Sequence, residues 1–302
     1  MISHKILRYV HINNFLWQSS NKALLAKLRK KTGYTFSNCK KALELHENDL
    51  QKAETWLKEQ AQALGWSQAA KVQGRTTSQG LIAVVVDNNH GALVEINCET
   101  DFVARNKYFQ NLTETVANAV LKYSASINSD EPVTRIPLDS ETLKALPASD
   151  GKSLADHSAL TIGSVGENLG IRRALCLSVQ SGIFLSGCTH PAPTTPHSVF
   201  FGRYGALVAY KIASKHKTLG IQLCQHIIGM NPDKVGNPEN DQPNPVSDDE
   251  TTMIFQEFLL DPSVSVQQFL VGAQAEILDY ARFEMGESLE RPQKLDSVEI
   301  CG

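Results

Sequence analysis

VEINCETDFVARN, residues 94–106, decides how this chain is built. Its front half is apolar at every second position. Val94, Ile96 and Cys98 share one side, with Ala92 before them, and Leu93, Glu95 and Asn97 share the other. That alternation predicts a strand, because successive side chains in a strand point to opposite faces. Then the period changes. Phe102, Phe109, Leu112, Val116 and Val120 recur at helical spacing and predict one apolar helix face. Thr100 can cap that helix by accepting the amide of Val103. Asp101 falls in its first turn, where the helix dipole favours an acid. Phe102 is read in two ways: the first residue of a buried stripe, or a side chain offered to another molecule.

Outward from this corner the pattern stays mixed. Leu81–Val86 is a continuous apolar, β-branched run. With Asp87–Gly91 as a five-residue loop it forms a hairpin with the strand above. Residues 21–65 predict three short helices. Ser20 or Asn21 caps the first and Gly33 ends it; Ser37 caps the second; Asn48 or Asp49 caps the third and Gly65 ends it. Their apolar residues, among them Leu24, Leu28, Leu43, Trp56 and Leu57, recur at helical spacing. Residues 125–153 read as loop with one short helix. A strand pair is expected at Ile171–Val179 and Ile183–Leu185, then a Pro-rich loop at 186–198. Tyr204–Ile212 is a strand, and Leu219–Met230 is an apolar helix. The quartet Gly-Ala-Leu-Val occurs at 91–94 and again at 205–208, which hints at two halves of similar plan. Residues 233–261 hold eight acids against one lysine and read as a loop or excursion. Short hairpins among helices favour an antiparallel α+β architecture.

The charge is uneven. Residues 1–43 carry nine basic side chains and no acid, whereas the remainder carries 20 basic and 32 acidic. The first twenty residues are basic, apolar and acid-free, the composition of the end of a mitochondrial transit segment. No apolar run approaches the roughly 18 residues of a membrane-spanning helix. The six cysteines are scattered without a C-x-x-C, consistent with reduced thiols.

Catalytic chemistry is hard to assemble. There is no phosphate-binding P-loop, and the glycines 163, 166 and 170 lack dinucleotide spacing and favour tight turns. Cys188, His190 and His197 make a weak zinc set without a fourth ligand. Cys98, His90 and Asp101 fail as a nucleophilic triad, since His90 sits at the far end of the strand from Cys98, more than roughly 20 Å away. Neither a cofactor nor a metal is expected.

The chain nevertheless resembles the elongation factor Ts family from about residue 22 to 287. The resemblance rests on KTGYTFSNCKKAL (30–42), DLQKAETWLKEQ (49–60), AAKVQGRTTSQGLI (69–82) and VEINCETDFVARN, followed in order by VGENLGIRRA (165–174), FGRYGALV (201–208) and RFEMGE (282–287). LGIQLCQHIIGMNP and LLDPSVSVQQFL are similar to the mitochondrial branch, and no heptads of a coiled-coil excursion follow residue 230.

That resemblance implies a three-helix module like a ubiquitin-associated domain at 21–65. A two-part core follows, 66–180 and 181–302, of antiparallel sheets packed with helices. It implies a guanine nucleotide exchange factor for mitochondrial elongation factor Tu in the matrix, neither enzyme nor nucleotide binder, pairing 1:1 with its partner. Thr100, Asp101, Phe102 and Val103 would form the nucleotide-release element, which reaches toward the partner's Mg²⁺ site. Lys30, Cys39, Lys40 and His226 are further contact candidates. Ser186 stands where the family usually has histidine. The rival reading is a nucleic-acid or ribosome-associated module built on the basic helices; the acidic remainder disfavours an extended nucleic-acid footprint.

Overall fold

The computed structural model describes residues 22–192, 198–213 and 218–289. The expected transit segment, the cap candidates Ser20 and Asn21, and His197 lie outside these residues.

The N-terminal helices are α1 (22–32), α2 (Phe36–Leu45) and α3 (Leu50–Val72). Gly33 ends α1 as expected: its φ of +73° suits glycine, and its amide bonds to Arg29 O at 2.8 Å. Thr35, rather than Ser37, caps α2 by accepting Asn38 N at 3.3 Å. Asp49 caps α3, its carboxylate accepting Gln51 N and Lys52 N. Leu25, Leu28, Cys39, Ala42, Leu43, Ala53 and Leu57 form the core of these helices.

Gly65 does not end α3, which runs seven residues further. The reason is tertiary. α3 crosses α7 (Leu154–Val165), and a Cβ on Gly65 would lie 2.4 Å from Ala159 O. A Cβ on Gly163 would lie 2.9 Å from Gly65 Cα. Two facing glycines let the backbones meet, and that packing overrides glycine's poor helix propensity. Gln62 Nε2 and Trp66 Nε1 both donate to Asp156 Oδ1 beside this crossing.

The first sheet has the order β3-β4-β2-β1-β6. Its members are β1 (Gln79–Asp87), β2 (His90–Cys98), β3 (Val133–Asp139), β4 (Leu169–Val179) and β6 (Phe200–Gly202), and every pairing is antiparallel. The second sheet, β10-β7-β5, joins β5 (Phe184–His190), β7 (Tyr204–Ile212) and β10 (Ala275–Glu284). A small third ribbon pairs β8 (Glu257–Phe258) with β9 (Asp261–Ser265). The remaining helices are α4 (Asp101–Ala104), α5 (Lys107–Ala125), α6 (Ser140–Ala145), α8 (Leu219–Met230) and α9 (Val266–Ala273).

The two halves stack sheet against sheet. Ala92, Val94, Ile96 and Cys98 pack toward α5 with Phe109, Leu112, Val116 and Val120. Leu93 joins Ile82, Val84, Leu175 and Leu177 from the first sheet against Leu207, Ala281 and Phe283 from the second. Both faces of β2 are therefore buried, Glu95 and Asn97 included. The repeated quartet does the same in β7: Ala206 and Val208 face α8, and Leu207 faces the opposite sheet.

Several sequence expectations change. The hairpin turn is two residues, Asn88 and Asn89, because Asp87 already pairs with His90; Asn88 takes a φ of +49°, which suits a tight turn. Ile171–Val179 and Ile183–Leu185 do not pair with each other. The chain turns at Gly182, φ +89°, and crosses from one sheet to the other. Ser186–His190 belongs to β5 and not to a loop. β3 and β10 were not foreseen; β3 is an edge strand carrying Pro137, which an edge tolerates. The acidic stretch after α8 is largely irregular as far as Gln256, with short 3-10 turns at Ser247–Asp249 and Met253–Phe255 and an exposed ion pair from Lys234 to Asp241, and it then enters the β8–β9 ribbon.

A buried charge cluster ties the sheets at one end. Glu95 is fully buried and accepts Arg172 Nη1 at 2.6 Å, Arg173 Nε at 2.7 Å and Gly286 N at 2.8 Å. Two consecutive arginines reach one carboxylate because the β2–β4 register slips between Glu95 and Ile96, leaving Arg172 as the extra residue of a bulge. Arg173 also pairs with Glu287 and lies 3.8 Å over the Phe283 ring.

Candidate partner-binding site

The corner after β2 places the residues singled out by the sequence. Cys98 is buried, as a small core residue should be, and its thiol donates to Thr100 O at 3.1 Å. Burial first, then the Glu167 carboxylate, pushes that thiol up to about 12, so it is no nucleophile at neutral pH. Thr100 caps α4, its hydroxyl oxygen accepting Val103 N at 3.4 Å. Asp101 sits in the first turn and pairs with exposed Arg105 at 3.0 Å.

Phe102 does not continue the helical stripe. α4 stops after four residues, and Asn106 starts α5 anew by capping Tyr108 N at 2.8 Å. The break turns Phe102 away from Phe109: Phe102 is 79% exposed, Phe109 0%. Val103 and Ala104 point inward and anchor the turn. Phe102 is thus a large apolar side chain left in solvent on a capped and anchored corner.

Three side chains around it escaped the sequence reading. Thr100 donates from N to Glu167 Oε2 at 3.1 Å and from Oγ1 to Glu167 Oε1 at 2.8 Å. Glu99 accepts Asn168 N at 2.6 Å. Tyr108 lies against Gly33, where a Cβ would come within 2.3 Å of its ring. The stretch VGENLG was visible as a motif, but only the fold brings residue 167 to residue 100.

The N-terminal helices border the corner through their 33–35 loop. Gly166 faces Thr35, and Phe36 stands 54% exposed nearby in sequence. Lys30 and Lys40 are exposed, Lys40 with Glu44 at 3.7 Å. Cys39 is fully buried among these helices, its thiol pushed up by burial. His226 is fully buried too: Nε2 bonds to Gln256 Oε1 at 3.1 Å, Nδ1 accepts Leu259 N at 3.2 Å, and the ring stacks on Phe258. Neither offers a surface atom to a partner. Ser186 sits 3.3 Å from the Tyr210 hydroxyl and under Gly220 of α8.

Among the described residues, no group of three His, Cys, Asp or Glu side chains could hold a metal ion. Among them too, no helix is long and apolar enough to cross a membrane.

Comparison with known proteins gives consistent results. Residues 7–67 match the family described as "Elongation factor Ts, mitochondrial, N-terminal", and residues 99–243 match "Elongation factor TS". A protein named mitochondrial elongation factor Ts from Aedes aegypti is 50% identical over 91% of this chain and 91% of its own. Its namesake from Drosophila melanogaster is 49% identical, covering 89% and 87%. The one from Homo sapiens is 42% identical, covering 90% and 85%.

Proposed function

The chain belongs to the elongation factor Ts family, the nucleotide exchange factors of elongation factor Tu in translation elongation, and from that premise we infer that the Phe102 corner is the element that releases GDP. The observation that carries this reading is the 79% exposure of Phe102 on a corner fixed by Thr100, Val103 and Ala104.

The protein acts in the mitochondrion, in the matrix, as a 1:1 partner of its elongation factor Tu. Exchange makes and breaks no covalent bond, so binding energy alone must do the work. Coupling between two ligands is reciprocal: if this protein weakens GDP binding, GDP weakens its binding by the same factor. A thousandfold effect corresponds to about 4 kcal/mol. Burying one phenylalanine supplies at most about 1.5–3 kcal/mol. Phe102 therefore acts with a broader interface. The N-terminal helices, which we assign to a ubiquitin-associated-like module at 21–65, supply part of it through Phe36, Lys30 and Lys40. The units at 66–180 and 181–302 supply the rest. Cys39 and His226 contribute by holding their elements in shape.

The test is release of fluorescent GDP from mitochondrial elongation factor Tu, with wild type and Phe102→Ala. Fast release by wild type and a large loss in the variant, with an unchanged circular dichroism spectrum, is expected. Equal release by both returns Phe102 to an incidental role. No acceleration by wild type overturns the exchange function and favours RNA binding through the basic helices.

A further inference from the structure

Resting on the exchange reading, we propose that Glu167 is a positioning residue for nucleotide release: its carboxylate sets the direction in which Phe102 projects. The α4 turn cannot set that direction itself. Four residues are too few for a self-supporting helix. Its cap bond from Val103 N to Thr100 Oγ1 is long at 3.4 Å. Its ion pair, Asp101 with Arg105, is solvent-exposed and weak. Burial of Val103 and Ala104 holds one side of the turn, but apolar burial is non-directional.

The directional restraint comes from across the loop. One Glu167 carboxylate takes both donors of Thr100, the amide at 3.1 Å and the hydroxyl at 2.8 and 3.1 Å. Because the hydroxyl hydrogen points to Glu167, the acceptor side of the same oxygen faces Val103 N. Glu167 thereby orients the group that caps the turn. Glu99 returns the arrangement, accepting Asn168 N at 2.6 Å and Arg75 Nη1 at 3.5 Å, while Asn168 Nδ2 donates to Arg75 O at 2.8 Å. Two chain segments, 99–100 and 167–168, each bond a carboxylate to the other's backbone. Bonds to an ionised acceptor are roughly twice as strong as neutral ones.

The 166–168 loop is itself seated on the N-terminal helices. Gly166 O accepts Gln68 Nε2 at 3.5 Å, and a Cβ on Gly166 would lie 3.2 Å from Thr35 Cγ2.

The experiment compares full-length wild type, Phe102→Ala, Glu167→Ala and the double variant in GDP release from mitochondrial elongation factor Tu. Each is titrated to give a maximal rate and a half-saturating concentration. Glu167→Ala is expected to lower the maximal rate roughly tenfold, the scale of one charge-assisted hydrogen bond. Its half-saturating concentration should stay within about twofold of wild type, since the wider interface is untouched. The double variant should be no slower than Phe102→Ala, because Glu167 acts only through that side chain. Glu167→Gln keeps one acceptor oxygen and gives an intermediate rate; it carries the comparison if Glu167→Ala fails to fold. Additive losses in the double variant overturn the inference, as does an unchanged rate in both Glu167 variants. Unchanged release by Phe102→Ala overturns the underlying reading and the inference with it.

Discussion

Gly91-Ala-Leu-Val-Glu95 and Gly205-Ala-Leu-Val-Ala209 differ only at the fifth residue. The first four positions behave alike: glycine and leucine face the opposite sheet, alanine and valine face a helix. The fifth is fully buried in both strands. In β7 it is an alanine packed with Val179 and Ile183. In β2 it is a glutamate gripping two arginines and the backbone of Gly286. The exits differ as well. β2 leads to a capped corner with an exposed phenylalanine, whereas the helix after β7 turns a histidine inward. The shared quartet builds the body; the residues that follow it give each half its task.

The largest expected effect tests the fifth residue. Glu95→Ala takes the buried carboxylate from two arginines, leaving Arg173 with Glu287 and Arg172 with the Glu287 carbonyl, and should destabilise the protein by up to about 3–5 kcal/mol in denaturant unfolding. A loss under 1 kcal/mol would mean the cluster is solvated and the halves are held by packing alone.

The second effect belongs to the other half. Burial holds His226 down at about 4, against 6.5 in an unfolded chain. The fold therefore keeps the ring neutral while the unfolded chain takes up a proton. Stability is full above pH 6.5 and falls as pH drops toward 4, by up to about 3 kcal/mol. Urea midpoints measured across that window should show the slope, and His226→Gln should flatten it.

A smaller effect separates the two glycines. A Cβ on Gly205 would come within 2.6–2.8 Å of Ile82, Val84 and Leu93; on Gly91 the nearest atoms, from Leu185 and Leu207, lie at 3.0–3.3 Å. Gly205→Ala should cost about 1–3 kcal/mol and Gly91→Ala less. The reverse order of melting temperatures would show that the two sheets do not pack as equivalents. The smallest effect is on the corner: Phe102→Ala should change stability by less than about 0.5 kcal/mol. A greater loss would mean the side chain is packed in solution, and the exchange reading would lose its main support.

Much of the body was legible because burial follows period. β1, β2, β7 and α8 each showed one clear pattern. What escaped has physical causes. β3 carries Thr134, Arg135 and Pro137 on an edge, where no second buried face writes an apolar run. Glycine at 65 reads as a stop by propensity, and only the facing Gly163 explains its place inside a helix. The corner was half legible. The cap at Thr100 was readable, but periodicity alone could not detect the break at Asn106, because Phe102 keeps register with a stripe from which it is physically detached. Asn106 just before an apolar run was the available signal. Glu167 carried no such signal, being 67 residues from its partner.

The helix through Gly65 also bears on how the molecule comes apart. α3 spans 23 residues, about 34 Å of continuous rod. Its early turns are packed with Leu28 and Leu43, and Val72 near its end lies in the core with Ile96 and Phe109. One rod embedded in two cores cannot fray at their junction without exposing both. The N-terminal helices and the sheets should melt in a single transition, and a protease should find no cut that frees one from the other intact.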